Sequence, residues 1–399
     1  MQPQLYGRTD YLGVPRIENV GRSPSGRNGY GVGSKAHKRM NRIAFHAEDD
    51  LVTRIARAIP CAPKTRRAIS RAATRLRRGI GDDAAILSPN GKSDWVLSCD
   101  AFLENVHFLA NLHPPDSVGF KSLARATSDI AAMGAAPRFF LLTLAIPSRH
   151  TGAWLDQFLK GMARAAHSLG IHLVGGDTTE SSHISISVTV LGEVPRGRAL
   201  LRSGAKPGDI IYVSGTLGRA ALAWRWMSSN LGRNSGRKRM LRRWPQKRSL
   251  RRLLKPHLYP EIKVDLGLWL ATNRMATAAM DLSDGLSTDL SRLCAASGVG
   301  ARIVETSIPR ASILPKLASM KEFAKLRLDP LDLALHGGED YELLFTVPPS
   351  RAKLLRKAPG FSSIVPIGEI MSGKDIIIFD LKGRSSALPR GGWDPFRDK

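Results

Sequence analysis

Carboxylates recur in short, glycine-rich or hydroxyl-containing motifs between residues 79 and 343 of the chain. The motifs are GIGDDAA (79–85), SCDAFLENVHF (98–108), SDIAAMGA (128–135), GGDTT (175–179), DLSDGL (281–286) and GGEDYEL (337–343). Most of these motifs place an acidic residue beside a small residue and an apolar run. This arrangement puts carboxylate oxygens at the ends of strands, where the small neighbouring residues leave room for a ligand. Mg²⁺ prefers hard oxygen ligands and bridges them to phosphates. The motifs together predict a magnesium and phosphate site built from both halves of the chain.

A turn or a helix cap would explain any one of these motifs. The whole set is not explained in this way, because turns alone do not need so many carboxylates flanked by glycine. GGDTT could also hold phosphate oxygens on its backbone N–H groups while Asp177 binds metal. The chain has neither a GxxxxGKS phosphate loop nor the motif set of protein kinases, which excludes the common nucleotide-binding classes.

Three further residues have side chains suited to an organic phosphate. His107 follows a predicted strand and either contacts a ligand or supports the fold. Arg202 offers a planar fork suited to phosphate, or is a solvated loop charge. Trp393 is a candidate lid over an aromatic substrate, or it caps the core.

The net charge of +26 and the isoelectric point near 10.6 at first indicate a nucleic-acid or membrane partner. Residues 1–78 hold 17 Lys and Arg against 5 Asp and Glu, and residues 225–255 hold 12 against none. The remainder of the chain is close to neutral. The segment 225–255 interleaves two tryptophans with arginines, as RNA-binding segments can; a solvated surface insertion is the alternative.

Length and cysteine content indicate an intracellular globular protein. With 399 residues and 43% hydrophobic content, the chain can bury a sizeable core in two domains. Its three cysteines, Cys61, Cys99 and Cys294, have no ligand-like spacing, so neither a disulfide framework nor a zinc site is predicted. No stretch has the length of an apolar membrane span and no secretory signal is recognisable. We therefore expect a soluble, cytoplasmic protein.

The elements that must position these motifs alternate between strand and helix, which predicts an α/β (α+β) fold of two domains, each a mixed sheet covered by helices. Residues 1–46 are predicted to be disordered, and a short helix is predicted at 48–59. The predicted domains are 47–200, which would bind ATP and metal, and 201–399, which carries a basic insertion at 228–255. Predicted strands are 95–102, 139–147, 184–194, 210–214, 276–281, 301–305, 341–347 and two more before 381. Predicted helices are 117–133, 152–169, 217–227, 262–273, 286–296, 330–335 and 349–357.

Taken together, the motifs resemble those of the thiamine-monophosphate kinase family, whose superfamily includes aminoimidazole-ribonucleotide synthetase, selenophosphate synthetase and the hydrogenase-maturation dehydratase. The resemblance runs from about residue 48 to 396. The six motifs carry it together with RSGAKPGD (202–209) and a terminal GWD (392–394). Residues 1–46 and most of 225–255 lie outside it.

The resemblance implies roles for particular residues. Implied metal ligands are Asp83, Ser98, Cys99, Asp100, Asp129, Asp177, Asp281 and Asp284. Implied catalytic residues are Asp100, Asp129 and Asp177. Implied nucleotide contacts are Gly176, Asp177, Arg202 and Ser283, and implied substrate contacts are His107, Glu339 and Trp393. Cys99 stands where the family usually has threonine; if the side chain rather than the backbone carbonyl binds metal, Mg²⁺ affinity should fall, because a thiol is a poor ligand for a hard cation.

The implied reaction is direct transfer of the γ-phosphoryl group of ATP to thiamine monophosphate, assisted by several Mg²⁺ ions and without a covalent intermediate. The implied architecture is two α/β domains, with strands of the N-terminal domain pairing across a homodimer into a barrel. Two alternatives remain open. Another ATP-dependent synthetase of the superfamily would use the same aspartates on a different substrate. An RNA-binding protein on this scaffold would explain the basic extensions but not the intact set of aspartates.

Overall fold

The computed structural model describes residues 53, 76–79, 81–88, 91–229, 248–313, 328–357 and 362–396. The chain divides into two compact units, Met1–Pro60 with Asp394–Lys399, and Cys61–Trp393. The second unit contains both sheets. The extension 1–46 lies outside the described residues, as does the predicted helix 48–59 apart from Thr53, which is helical. The part of the basic insertion from 230 to 247 also lies outside them.

The first half forms a mixed sheet with helices on one face. Its strands are β1 (Leu76–Arg78), β2 (Ala85–Leu87), β3 (Ser93–Leu103), β4 (Ala136–Ile146), β5 (His172–Glu180) and β6 (Ser185–Pro195). They lie in the order β1-β2-β3-β6-β4-β5, and β4 and β5 pair in parallel whereas the other pairs are antiparallel. Every second residue of β6 is buried, as the alternation of apolar residues in this segment predicts.

Two helices cover this sheet, α1 (Pro115–Ala132) and α2 (Ala153–Leu169). Proline at the first position of α1 is compatible with a helix start, because that N–H would have no helical partner. The two helices approach closely through a glycine on each. A Cβ at Gly119 would lie 2.0 Å from the Phe158 carbonyl oxygen, and one at Gly161 would lie 1.8 Å from that of Asp116. The two helices therefore pack closely against each other.

The second half contains β7 (Ile210–Val213), β8 (Ala278–Asp281), β9 (Gly300–Val304), β10 (Leu343–Val347), β11 (Val365–Met371), β12 (Ile376–Phe379) and β13 (Ser385–Ala387). Their order is β13-β12-β9-β11-β7-β10-β8, with β9 and β12 parallel and the other pairs antiparallel. Its helices are α3 (Arg219–Ser229), α4 (Arg248–Leu258), α5 (Val264–Thr272), α6 (Leu286–Ser297), α7 (Pro330–His336) and α8 (Pro349–Lys357).

The core of this unit runs through both halves. β10 is buried at every position, because each face of the second sheet is covered. Phe345 and Tyr212 belong to a core shared with α1, α2 and α5, whereas Leu344 and Val213 face a second core with α6 and α7. The second sheet thereby packs against α1, and α1 lies between the two sheets. Polar residues of α1 can therefore meet motifs from both halves.

The predicted two-part α/β organisation with mixed sheets is confirmed, and helix 349–357 has the predicted bounds. The short strands β1, β2 and β13 were not predicted, and two longer segments also differ from the prediction. GGDTT was expected at a loop edge but lies inside β5, where pairing with β4 outweighs the weak strand preference of two glycines. The end of the basic insertion forms α4, whose leucines recur at helical spacing and are buried.

Candidate active site

Three aspartates from separate parts of the chain meet at the contact of the two halves. Asp83 precedes β2, Asp129 lies in α1 and Asp281 ends β8. One carboxylate oxygen of each lies within 4.8 Å of the others. Among the described residues, these three aspartates are the group whose spacing could hold a metal ion. We name these three residues the carboxylate cluster.

The carboxylate cluster is electrostatically unfavourable without a cation. Burial raises the pKa of Asp281 to about 7, and repulsion from Asp83 adds to the effect. Burial also raises the pKa of Asp129 well above its usual range, with repulsion from Asp281 and Asp83 contributing. Burial raises the pKa of Asp83 as well, although Arg202 acts to lower it. Carboxylates held together in this way retain protons until a cation replaces them.

Hydroxyl groups orient two members of the carboxylate cluster. The Ser98 hydroxyl, from β3, donates a hydrogen bond to Asp129. The Ser128 hydroxyl, from α1, donates to Asp281 Oδ2 at 2.7 Å. Ser98 and Asp129 were predicted as metal ligands and lie in direct contact, so a cation bound by the carboxylate would also lie close to the serine.

Arg202 forms an ion pair with Asp83, the third member of the carboxylate cluster. Its guanidinium donates to Asp83 Oδ1 through Nε at 2.9 Å and also through a second nitrogen, and its backbone N–H donates to Asp82 Oδ1 at 2.6 Å. The other oxygen, Asp83 Oδ2, is buried and has no hydrogen-bond partner in the described structure. An unpartnered buried carboxylate oxygen is costly unless a ligand reaches it, so Asp83 Oδ2 is the oxygen of this carboxylate that remains for a cation or a donor.

The motif DLSDGL carries Asp284 to the same region. Asp284 pairs with Arg292, and burial raises its pKa although Arg292 acts to lower it. Its charge contributes to the raised pKa of Asp281. The Ser283 carbonyl accepts a hydrogen bond from the Glu339 N–H at 2.7 Å. The two motifs of the second half therefore run side by side.

A stripe of polar side chains on α1 connects the motifs. Lys121, Arg125, Ser128 and Asp129 recur at helical spacing on one side of a mostly buried helix. Arg125 forms a two-point ion pair with Asp100, with Nε–Oδ2 at 2.6 Å and a second contact at 3.2 Å. The charge of Asp100 contributes to the raised pKa of Asp129. The sequence interpretation missed Lys121, Arg125 and Ser128, although their spacing among buried residues is the signal that could have identified them.

Cys99 faces away from this stripe. Side chains alternate along β3, and the Cys99 thiol lies 3.4 Å from the Ser187 hydroxyl and accepts a hydrogen bond from Thr189 at 3.3 Å. Ser98 and Asp100, its neighbours, contact α1 instead. The thiol is exposed and does not join the carboxylate cluster.

Asp177 and Gly176 lie on β5, at the edge of the first sheet, and are exposed. The carboxylate of Asp177 accepts a hydrogen bond from the N–H of Thr178 at 2.9 Å, and Asp177 is not a member of the acidic group found among the described residues. A Cβ at Gly176 would lie 1.8 Å from the Leu142 carbonyl oxygen. Glycine is therefore required there by the close approach of β4, whatever else the motif does.

His107, in the first half, lies within electrostatic range of Glu339 in the second half. His107 Nδ1 accepts a hydrogen bond from the N–H of Leu103 at 3.0 Å. Burial lowers the pKa of His107 to about 3, with the positive charge of Arg125 contributing and Glu339 opposing. This histidine is therefore neutral near pH 7, and it can bind a ligand by a neutral hydrogen bond or by ring contact but not as a cation.

Glu339 is held by two buried partners. Lys121 Nζ lies 2.8 Å from Glu339 Oε1, and His257 Nδ1 lies 3.0 Å from Glu339 Oε2. Burial acts to raise the pKa of Glu339, but Lys121 and His257 hold it well below its usual range. Glu339 has a positive φ of 59°, a conformation that a non-glycine residue adopts only where the surroundings enforce it.

A chain of histidines extends this contact. His113 Nε2 lies 3.0 Å from His257 Nε2, and His113 Nδ1 accepts from the Leu109 N–H at 3.1 Å. Burial lowers the pKa of both histidines, so both are neutral. The geometry then assigns the donors: His113 donates to His257, and His257 donates to Glu339. The sequence interpretation missed both histidines, since neither lies in one of the acidic motifs.

The C-terminal segment crosses the DLSDGL motif. The N–H of Trp393 donates to the Asp284 carbonyl at 2.9 Å, and the Trp393 side chain is partly buried. A Cβ at Gly392 would lie 2.2 Å from that same oxygen, so glycine permits the approach. Trp393 therefore lies beside the loop that carries Ser283 and Asp284.

Within the described residues, no helix has the length and apolar character needed to cross a membrane.

Two family models match the chain, namely the AIR synthase related protein N-terminal domain at residues 81–194 and its C-terminal domain at residues 206–380. The thiamine-monophosphate kinase of Bacillus subtilis is 34% identical over 326 residues, which cover 80% of this chain and 93% of that protein. The Escherichia coli K12 enzyme of the same name is 35% identical over 320 residues, with 80% and 91% covered.

Comparison with solved structures gives the same result as the comparison of sequences. One described as AaThiL complexed with AMPPCP and TMP superposes with a TM-score of 0.68 at 28% identity, covering 88% of this chain and 97% of that one. The thiamine-monophosphate kinase from Stenotrophomonas maltophilia gives 0.61 at 34% identity, covering 86% and 98%. The hydrogenase maturation protein HypE in complex with ATP, at 21% identity and a TM-score of 0.58, shares the fold. The two domain models and the identity to curated relatives along most of their length lead to one conclusion: the chain belongs to the thiamine-monophosphate kinase family.

Proposed function

We propose that the protein transfers the γ-phosphoryl group of ATP to thiamine monophosphate, giving thiamine diphosphate and ADP. The carboxylate cluster carries this proposal, because Asp83, Asp129 and Asp281 come together from both halves and leave Asp83 Oδ2 without a partner. Relatives named thiamine-monophosphate kinase support the choice of substrates, as does the related structure with AMPPCP and TMP.

The donor set fits Mg²⁺. Three carboxylates with raised pKa values, a nearby serine hydroxyl and an unpartnered oxygen offer hard ligands to a cation. Asp83, Asp129 and Asp281 would hold it, with Ser98, Asp100 and Asp284 nearby. When bound, Mg²⁺ neutralises phosphate oxygens and so reduces the repulsion between two anionic substrates.

The residues of the chain would act by positioning and charge. The acceptor is a phosphate oxygen, which is already anionic near pH 7, so no side chain has to remove a proton from it. One P–O bond to ADP breaks as one to thiamine monophosphate forms. Arg202, whose guanidinium has a bidentate geometry, is suited to orient a nucleotide phosphate, and neutral His107 with Glu339 would hold the acceptor. Gly176, Asp177 and Ser283 remain proposed nucleotide or metal contacts.

The acceptor can be tested with purified protein, ATP and Mg²⁺. We expect thiamine diphosphate to form from thiamine monophosphate and not from thiamine, as measured by chromatography of the thiochrome derivatives. The reaction should stop in excess EDTA and resume when Mg²⁺ is restored. Consumption of ATP without any change in thiamine monophosphate would point to another member of the superfamily and overturn the proposed acceptor.

Trp393→Ala is expected to raise the KM for thiamine monophosphate and to leave that for ATP nearly unchanged. Loss of an aromatic stack on one of the substrate rings should cost about 1–3 kcal/mol of binding, as for stacked bases, or roughly 5- to 150-fold in KM. Steady-state kinetics with each substrate varied in turn would measure both values. An equal rise in the two KM values would show that Trp393 supports the DLSDGL loop rather than the substrate.

Cys99→Thr is expected to leave the Mg²⁺ dependence of the reaction unchanged within about twofold, because the thiol lies with Ser187 and Thr189 on the opposite side of β3 from Ser98. Ser98→Ala serves as the comparison and should raise the Mg²⁺ concentration needed for half-maximal rate. If Cys99→Thr lowered that concentration severalfold, the side chain at 99 would be a metal ligand after all.

We also propose that the protein is a homodimer whose first sheets pair through the face that carries no helices. Trp95, Phe139 and Leu141 are 42–44% exposed on that face, and β5 presents a nine-residue edge, which is a site for strand pairing. These features support the barrel implied by the family resemblance.

We further propose that the domains are 47–200 and 201–399. We also propose a cytoplasmic location, with which the free Cys99 and Cys294 agree.

Leu141→Glu is expected to convert this dimer into monomers of 43.5 kDa, because a charge would be buried in the paired face. Light scattering after size-exclusion chromatography would measure the mass. Leu381→Glu is the matched control, since Leu381 is 75% exposed and lies outside the first sheet. A wild-type mass of one chain would contradict the dimer.

A further inference from the structure

A basic groove lies on the surface between α1, α2 and α4, apart from the proposed active site. Its volume is about 1060 Å³, at the upper limit of ordinary small-ligand pockets. Phe120 of α1, Arg164 of α2 and Tyr259 after α4 line it, together with the exposed side of α4. We define the basic groove by these residues and the four cations described next.

Four cations follow one side of α4. Arg248, Arg251, Arg252 and Lys255 recur at positions i, i+3, i+4 and i+7, so they share one helix face. All four are exposed. The opposite face packs inward through residues such as Leu250 and Leu254. The amphipathic pattern therefore fixes which side of the helix presents the charge.

These charges are not balanced locally. Within the described residues, no ion pair involves the side chains of the four α4 cations. The acid that lines the groove is Glu261, which is 78% exposed and lies 3.8 Å from Lys263. Such a row of like charges on one short helix costs self-repulsion, which an anionic partner would relieve.

Aromatic rings lie among the charges. The Arg164 guanidinium lies 5.5 Å from the centre of the Phe120 ring and 4.8 Å from that of Tyr259. The Tyr259 hydroxyl donates to Asp116 at 2.9 Å, and Arg164 contacts the same carboxylate at 3.2 Å. These contacts hold a half-exposed planar cation and two partly buried rings together in the lining of the groove.

We propose that the basic groove binds single-stranded RNA. A row of cations follows a phosphate backbone, and the rings and guanidinium of the lining offer stacking surfaces to unpaired bases. A membrane surface would use the cations but has no planar groups to stack on the rings. A small polyphosphate would use the cations but leave the rings without a role. The groove does not include any residue assigned to phosphoryl transfer.

The test uses the full-length protein and a fluorescein-labelled twelve-nucleotide uridine RNA, with binding followed by anisotropy at several salt concentrations. The variant replaces Arg248, Arg251, Arg252 and Lys255 by glutamine. The control replaces Lys92, Lys353, Lys374 and Lys382 by glutamine. These lysines are exposed elsewhere on the protein, so the control removes the same amount of positive charge outside the groove. A third variant, Arg164→Gln, removes the stacked guanidinium.

The groove variant should bind RNA at least tenfold more weakly than wild type at 0.1 M salt. Its slope of log K against log salt should become shallower by about 2–3, because each lost phosphate contact in a single strand contributes roughly 0.7. The control should change affinity by less than threefold, and kinase activity should persist in both. Arg164→Gln should weaken binding with little change in the slope.

Three outcomes would overturn the proposal. Equal losses in the groove variant and the control would mean that net charge alone attracts RNA. Wild-type affinity in the groove variant would place RNA elsewhere or nowhere. Binding to anionic phosphatidylserine vesicles or to tripolyphosphate that is tighter than binding to RNA, and lost in the same variant, would assign the groove to that ligand instead.

Discussion

Asp281→Asn is expected to abolish phosphoryl transfer and to make the metal-free protein more stable. The carboxylate is one of three that would hold Mg²⁺, so its loss should lower kcat by at least about 10³-fold, or roughly 4 kcal/mol at 1.4 kcal/mol for each factor of ten. The fold should survive, because asparagine has nearly the same shape and its carbonyl oxygen can accept the hydrogen bond from Ser128.

The gain in stability follows from the raised pKa of Asp281. Burial raises this pKa to about 7, above that of the same group in the unfolded chain. The contribution of this carboxyl to stability is therefore full below its ordinary pKa of 3.8, is lost progressively as the pH rises to about 7, and stays lost above that. At pH 8 without Mg²⁺, we expect the asparagine variant to be more stable by about 1–3 kcal/mol, with the difference shrinking toward pH 5.

Asp94→Asn is the matched control. Asp94 is buried too, but it accepts from the Gly197 N–H at 2.8 Å and pairs with Arg77 at 3.2 Å. Burial acts to raise the pKa of Asp94, yet these contacts and the Ser88 hydroxyl lower it overall. This variant should lose stability and keep its kinase activity. Thermal unfolding in EDTA and kinetics in Mg²⁺ would measure both, and a destabilised but active Asp281→Asn protein would contradict the assignment of the cluster.

Lys121→Met is expected to cost roughly 2–4 kcal/mol of stability and to raise the KM for thiamine monophosphate at least tenfold. Lys121 is 1% exposed, and its ammonium lies 2.8 Å from the Glu339 carboxylate. Removing the buried ammonium leaves the partly buried Glu339 carboxylate with His257 as its remaining partner. Glu339, which we propose contacts the substrate, would also lose one of the two groups that hold it in place.

A second substitution separates these two effects. Lys121→Met with Glu339→Gln removes the unpaired charge, so urea unfolding should show recovery of most of the lost stability while the KM stays high. Lys160→Met, at an exposed position of α2, should change stability by less than about 0.5 kcal/mol. Recovery of normal KM in the double variant would mean that Glu339 has no part in binding the acceptor.

Most helices and strands of the fold can be predicted from the sequence, because each is determined mainly by a local pattern of apolar residues. Apolar alternation identified β6, and helical spacing with a terminal glycine identified α2. β5 was missed because its strand character comes from pairing with β4, which is a contact distant in sequence. The glycines at 175 and 176 favour a loop by their local preference, and tertiary pairing overrides that preference.

The predicted site residues divide in the same way. The aspartates were found because each lies in a compact motif, but the motifs do not show which of them meet. Asp83, Asp129 and Asp281 form a cluster, whereas Asp177 and the thiol of Cys99 lie outside it. The contacts of Lys121 and His257 with Glu339 span more than 80 residues of sequence, so only the packing of α1 and α4 beside the segment that carries Glu339 brings them together.

Transfer of labelled phosphate tests the central claim most directly. The protein would be incubated with ATP labelled at the γ-phosphorus, Mg²⁺ and thiamine monophosphate, and the products separated. Direct transfer predicts that the label appears in thiamine diphosphate, in equal amount to the ADP formed, and that no label is transferred by Asp281→Asn. Label recovered as inorganic phosphate, or thiamine diphosphate formed equally well by the variant, would contradict this account.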